Sequence, residues 1–404
     1  MPLRVLHDYK SLKGKRVLLR ADFNVPVNRG KIGAEEDWRL RRVVPTIEKL
    51  RKAGARIVLA THMGRPEGKK VASLKVDAVA KRLSQLAHAP IEKLSDCLGS
   101  EVEEAVAAMK DGDIVMLENL RFRKGEEEND LKFAEALSRL ADVYLDEAFG
   151  VSHRAAASNV GITRYLPSYA GPLFEAEVDA LTKALEAPER PYLVVMGGAK
   201  VSSKIGVISQ MLSVADRVLL GGALIAPFYK AMSHCIGVTA CSDEDLEAAR
   251  KLMEHPYYKK LILPHDVVIG DPKNPGGKPT IVDLQEKPFD LCRDHEAILD
   301  IGPKTISAYA SYIRSAKMIV WNGPLGWFEQ PKFSHGTLAL GRLIAARSKG
   351  RAFGVVGGGE TVQALARTGL MDCVDHVSTG GGAMLEFLEG KVLPGIQPLL
   401  DASK

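Results

Sequence analysis

A chain of 404 residues, 46% hydrophobic and 26% charged, reads as a soluble globular protein too long for one ordinary core. Its formal charge of +5 contains no long Lys/Arg run, which argues against nucleic acid and suits a small acidic ligand if the charge is localised. No stretch nears the ~18 apolar residues of a membrane span, and the opening MPLRVLHDYKSLKGKRVLLR lacks a signal-peptide core. Cys97, Cys235, Cys241, Cys292 and Cys373 are scattered, with no C-x-x-C, and read as reduced thiols of a cytoplasmic protein.

In chain order, the first predicted strand is RVLLR (16–20), followed by an amphipathic helix over RLRRVVPTIEKLRKAG (39–54). Strands follow at ARIVLATH (55–62), DIVMLEN (113–119) and DVYLDEAFG (142–150), with a helix at LKFAEALSRLAD (131–142). GPLFEAEVDALTKALEAPERP (171–191) reads as one helix closed by Pro188 and Pro191, and so as a connector. Beyond it come YLVVMGG (192–198), a helix at SKIGVISQMLSVAD (203–216), RVLLGG (217–222) and LILPHDVVIG (261–270). A turn-rich loop, GDPKNPGGKP (270–279), precedes the last strands KMIVWNG (317–323), AFGVVGGG (352–359) and DHVSTGGG (375–382). These strands lack clean alternation, so both faces are covered, as in parallel α/β sheets. The expected organisation is a first domain over 1–170, a connector over 171–190 and a second domain over 191–389.

In such sheets ligands bind beyond the carboxyl ends of strands. The two halves differ there. The first carries cations: Arg20, Arg39, His62, Arg65, Arg121, His153 and Arg154. Guanidinium forks bind carboxylate and phosphate, so a set of them meeting at one rim suits a small, strongly anionic metabolite. Taken singly, each is equally well a solvated surface charge. The second half carries glycines: GGAK (197–200), GGA (221–223), GGGE (357–360) and STGGGA (378–383). Glycine turns that open helices expose N–H groups to phosphate, although each alone reads as a tight turn. Lys200 and Lys204, four apart, are expected to face the same phosphates. The sequence contains no G-x-x-x-x-G-K-[ST], G-x-G-x-x-G or G-x-S-x-G, which argues against Walker-type, dinucleotide and nucleophile-elbow enzymes. The combination suits direct phosphoryl transfer from a nucleotide on one domain to an anion on the other.

The motifs LLRADFNVPV (18–27), THMGRP (61–66), LENLRF (117–122), EAFGVSHRAAAS (147–158), GGAKVSSKI (197–205), DIGPKT (300–305), WNGPLGWFE (321–329), GGGET (357–361), STGGGA (378–383) and LEGKVLPG (388–395) resemble phosphoglycerate kinases along nearly the whole chain. The resemblance implies two doubly wound, Rossmann-like α/β domains joined by a helix, with a cleft between them and a tail near 390–404 returning to the first. It implies reversible, Mg²⁺-dependent transfer between 1,3-bisphosphoglycerate with ADP and 3-phosphoglycerate with ATP, by in-line attack after domain closure, in a monomer. Asp22, Phe23, Asn24, Arg39, His62, Met63, Gly64, Arg65, Arg121 and Arg154 would hold 3-phosphoglycerate. Gly198, Ala199, Lys200, Lys204, Gly221, Gly222, Gly302, Asn322, Pro324, Trp327, Glu329, Gly357, Gly358, Gly359, Glu360 and Thr361 would surround the nucleotide. Arg39, Lys200 and the N–H groups of Gly358, Gly359, Gly381 and Gly382 would stabilise the group in flight, with Glu360 as the partner of nucleotide-bound Mg²⁺.

The chain departs from the family in places. Glu360 stands where Asp is usual, Trp327 where a small aliphatic residue is usual, and GGALIAPF (221–228) replaces a more glycine-rich stretch, which leaves ATP or GTP open. Asp146-Glu147 replaces Asn-Asp, and Ala156 replaces a frequent His. Two other readings stay open: a nicotinamide dehydrogenase of similar architecture, and a silent binding protein that keeps the fold.

Overall fold

A computed structural model describes residues 2–6, 11–34, 36–286 and 290–401. Among these, one compact unit holds the residues up to Asp179 and those from Val392 on, and a second runs from Ala180 to Lys391.

The first unit is built on strands β1 (Arg16–Arg20), β2 (Arg56–Ala60), β3 (Glu92–Lys93), β4 (Ile114–Met116), β5 (Val143–Asp146) and β6 (Ser168–Ala170). They form one parallel sheet in the order β3-β4-β2-β1-β5-β6. Val17, Leu19, Ile57 and Leu59 pack into the core on one face, and Leu18, Val58 and Val115 into the core on the other. This double burial explains the missing alternation. The order reverses between β1 and β5, which makes their carboxyl ends the natural ligand edge.

The second unit has β7 (Tyr192–Met196), β8 (Arg217–Leu220), β9 (Cys235–Ile236), β10 (Leu261–Ile262), β11 (Asp266–Gly270), β12 (Thr280–Asp283), β13 (Asp290–Cys292), β14 (Ala297–Ile301), β15 (Met318–Asn322), β16 (Phe353–Gly357) and β17 (His376–Val377). Six of them make a parallel sheet ordered β10-β8-β7-β15-β16-β17, with its reversal between β7 and β15. LILPHDVVIG is not one strand, as expected, but two. Leu261–Ile262 joins β8, while Asp266–Gly270 lies antiparallel to both β12 and β14 in a separate three-stranded sheet. Pro264 between them has no N–H to continue a ladder.

The helix expected as a connector is Pro172–Glu186, shorter than expected, with Pro at its first position, and the division between the two units falls within it, after Asp179. Glu147, just after β5, accepts the Phe174 N–H at 2.9 Å and so caps the first turn. Residues 392–401 run along the first unit. Gly395 donates to the Ser152 carbonyl at 2.9 Å, Arg4 to that of Leu399 at 2.9 Å, and Leu3 bridges Leu400. The last residues of the expected tail, 402–404, lie outside the described residues.

Candidate functional site

In the first unit the loop after β1 carries Asp22, Phe23 and Asn24. Asp22 is buried and pairs with Arg39 at 2.5 Å, from the first turn of the Trp38–Lys52 helix. Burial alone would raise the Asp22 pKa. Arg39, His62, the Asn24 N–H and Arg20 outweigh it and hold the carboxyl below its usual value. His62, after β2, lies 4.0 Å from Asp22 Oδ1 through Nε2. Asn24 Oδ1 accepts the Gly64 N–H at 3.0 Å, and the Gly64 carbonyl accepts from Arg121 at 2.8 Å. Gly64 has φ +60°, which favours glycine, and a Cβ there would press on the Leu74 side chain at 2.7 Å. Asn119 clamps Met63 through both its N–H and its carbonyl, at 3.1 and 2.8 Å.

Asp22, Asn24, Arg39, Gly64 and Arg121 therefore form one hydrogen-bonded set, which Met63 joins through Asn119, while His62 stands 4.0 Å from Asp22. Burial, the largest influence, and the nearby Arg20 and Arg154 lower the Arg121 pKa, against Glu127 and Glu126. Arg65 and Arg154 remain exposed to solvent. Phe23 and Met63 put their side chains in the core, so only their backbone is open to a ligand. Arg20 corrects the sequence reading: it is buried, with its guanidinium taken up by Ser158, the Ala21 carbonyl and His62, so it backs the rim rather than facing a ligand. Reasoning from sequence also missed Asn119, although the strand-end motif LEN held it.

In the second unit the glycines divide into two kinds. At the β7/β15 reversal two backbones cross in contact. A Cβ on Gly197 would sit 1.9 Å from the Pro324 carbonyl oxygen, and one on Gly323 2.2 Å from that of Gly197. Gly302 is likewise pressed on Asp266, at 2.3 Å, and Gly221 on Leu325, at 2.6 Å. At these glycines close packing leaves no room for a side chain. A Cβ on Gly359 would meet nothing within 4 Å, and one on Gly381 only Gly358, at 3.7 Å. Each of these two glycines opens a helix, Gly359–Arg367 and Gly381–Leu388. The space above those helix ends is open, with N–H groups and the positive end of the dipole directed into it.

Lys204 lies at the crossing. Its Nζ donates to the Gly197 carbonyl at 2.7 Å and to Asn322 Oδ1 at 2.9 Å. Burial pushes its pKa down to about 8, opposed by Glu360. Asn322 Nδ2 in turn donates to the Gly357 carbonyl at 3.0 Å, and Thr361 Oγ1 accepts the Gly323 N–H at 2.6 Å. The helical spacing expected of Lys200 and Lys204 does not hold. The helix begins at Ile205, and the two lysines sit in the turn before it, Lys200 and Ala199 exposed. In GGALIAPF the apolar side chains of Leu224, Ile225 and Phe228 are buried, so that departure fills core. The half-exposed Trp327 ring lies parallel to Phe333, 6° between planes at 6.4 Å. Glu329 and Glu360 are exposed. Among the described residues no three His, Cys, Asp or Glu side chains gather to hold a metal alone. A single exposed carboxylate over an open helix end fits Mg²⁺ that arrives on nucleotide phosphates. Gly198 is half-exposed beside Lys204, Gly358 caps its helix with φ +94°, a Cβ on Gly222 would meet the Pro324 carbonyl at 2.9 Å, and Gly382 is exposed in its first helical turn.

Guanidinium groups at the strand ends of one unit and open glycine helix ends in the other are the features an α/β phosphotransferase needs. The chain belongs to the phosphoglycerate kinase family, whose model matches residues 6–391. It is 44% identical over 394 residues to the phosphoglycerate kinase of Dictyoglomus turgidum, covering 97% of each chain. Its identity to that of Pelotomaculum thermopropionicum is 44% over 392 residues, covering 96% of this chain and 97% of the relative. Among solved structures it is similar to phosphoglycerate kinase from Coxiella burnetii, with TM-score 0.82, 38% identity and 98% and 99% coverage of this chain and that one. The enzyme from Pyrococcus horikoshii OT3 gives TM-score 0.87 and 32% identity, covering 98% of both chains.

Proposed function

We propose that the chain transfers a phosphoryl group reversibly between 1,3-bisphosphoglycerate with ADP and 3-phosphoglycerate with ATP. The observation that carries this reading, beside family membership, is the contrast between the two strand-end sites: guanidinium and imidazole groups in one, open glycine helix ends in the other. The first unit takes 3-phosphoglycerate through Asn24, Arg39, His62, Arg65, Arg121 and Arg154. Asp22 serves by holding Arg39. The second takes the nucleotide on the Gly359 and Gly381 helix ends, with Lys200 and Lys204 on its phosphates, Glu329 toward the ribose and Trp327 beside the base.

Mg²⁺, when bound, would screen the phosphate charge, and Glu360 would be its protein partner. The acceptor carboxylate is already a nucleophile, so the chain supplies no general base. Arg39, Lys200 and the helix-end N–H groups stabilise the equatorial oxygens in flight. Transfer requires the two ligands to meet, so domain closure that excludes water belongs to the proposal. Free thiols support action in the cytoplasm. The protein acts as a monomer, as the family expectation has it.

The test is Mg²⁺-dependent ADP formation from ATP and 3-phosphoglycerate, run in parallel with GTP. Turnover with ATP is expected, and absence of turnover with both nucleotides overturns the proposal. NADH oxidation by the same preparation would instead revive the dehydrogenase reading.

A further inference from the structure

Behind the cationic rim of the first unit runs a buried hydrogen-bond chain with only one possible direction. Glu126, Ser158, Arg20 and His62 are all buried. The Ser158 hydroxyl donates to Glu126 Oε1 at 2.6 Å, and its backbone N–H donates to Oε2 at 3.0 Å. With its proton so committed, Ser158 Oγ accepts from Arg20 Nε at 2.9 Å. Arg20 also donates to the Ala21 carbonyl at 2.7 Å. Its remaining nitrogen stands 3.2 Å from His62 Nδ1 and 3.9 Å from Glu126 Oε1. A guanidinium has donors only and keeps its charge in proteins. His62 Nδ1 must therefore offer a lone pair.

We infer that Arg20 is a positioning residue that holds His62 as a neutral imidazole with its proton on Nε2, the nitrogen facing Asp22. The charged groups around the ring agree. Arg20, Arg39 and Arg121 act on the ring against the Asp22 carboxylate, with Glu126 beyond Arg20. Burial is the largest influence and keeps the ring pKa well below its usual value, Asp22 opposing it. Protonation would add a further cation and break the bond to Arg20. His62 is thus a donor of fixed polarity, as suits a ligand that brings only acceptors. Glu126 and Ser158 hold Arg20 in turn. The inference rests on the reading of this rim as the 3-phosphoglycerate site.

The test is ¹⁵N NMR of the full chain with labelled histidine and no ligand, the His62 signals assigned by their loss in His62→Gln. Protonated Nε2 and unprotonated Nδ1 are expected, unchanged across roughly pH 5–8. In Arg20→Met the ring should titrate within that range. KM for 3-phosphoglycerate should then rise roughly tenfold from its low end to its high end, as a charge-assisted hydrogen bond is lost. Arg20→Lys keeps a donor and should restore the tautomer. If Arg20→Met fails to fold, Arg20→Met with Glu126→Gln removes the orphaned carboxylate, and the wild-type spectrum decides in any case. A proton on Nδ1, a ring that titrates in the wild type, or an Arg20→Met variant with unchanged tautomer and flat KM overturns the inference. Absent turnover alone sinks the functional reading and leaves the tautomer result standing.

Discussion

Single side chains carry the chemistry proposed for the second unit. Lys200 is exposed and free to reach a phosphate, whereas Lys204 is already engaged by Gly197 and Asn322. Lys200→Ala should therefore lower kcat, with a loss of about 3–4 kcal/mol in barrier, and leave KM for 3-phosphoglycerate nearly unchanged. Steady-state kinetics decide the matter: an effect confined to KM removes Lys200 from the transition state. Glu360 occupies the first turn of its helix, exposed, over a glycine with nothing near it. Glu360→Asp shortens the reach by one methylene and should keep activity within about tenfold, or roughly 1.4 kcal/mol, while shifting the Mg²⁺ requirement. An inactive Asp variant, seen in a Mg²⁺ titration of the rate, would mean that the loop is built around glutamate. Which residues sit at strand ends was legible from the sequence, because apolar runs stop there on polar or glycine residues. What each does was less so. A charge at a strand end looks the same in sequence whether it faces water or, like Arg20, a serine 138 residues away.

At the scale of elements, the parallel strands were legible through their unalternating Val, Ile and Leu. The β11/β12/β14 sheet was not, since its membership depends on pairing across a loop rather than on local pattern. The junction of β5 with the connecting helix was also hidden. There Glu147 is 1% exposed, accepts from Thr46 Oγ1 at 2.5 Å and from Phe174, and lies where a Cβ on Gly171 would strike it. Burial pushes its pKa from 4.5 up to about 7, against Thr46 and the helix N–H groups. Between those values the folded protein holds more protons than the unfolded chain. Stability must then fall as pH rises through this window and level off above it. Glu147→Gln cannot ionise and lacks that slope. Its stability relative to wild type should improve by roughly 3 kcal/mol between about pH 5 and about pH 8. Denaturant melts across that range check it, and a constant difference would refute the assignment.

On the scale of the whole molecule, two α/β units were legible from the alternation of strands and helices, although the division falls inside the predicted connector, after Asp179, rather than around it. The course of residues 392–401 was legible only through family resemblance, because ten or so residues without periodicity predict no partner. Leu393, Ile396 and Leu399 are buried there, each at or below 1% exposure. A chain stopped after Lys391 should lose roughly 1.5–3 kcal/mol for each of these side chains, and the first unit should unfold at lower urea. An unchanged urea midpoint would show the segment to be dispensable.

That segment also sets a timetable for synthesis. The second unit is one continuous stretch, Ala180–Lys391, and is complete as soon as that stretch has left the ribosome. The first unit begins earlier yet needs residues 392–401 against Arg4, Leu3 and Ser152 to finish. The usual order, in which the N-terminal domain matures first, is therefore reversed for its last step. A nascent chain lacking those residues carries an open apolar seam while the later-born unit is already closed.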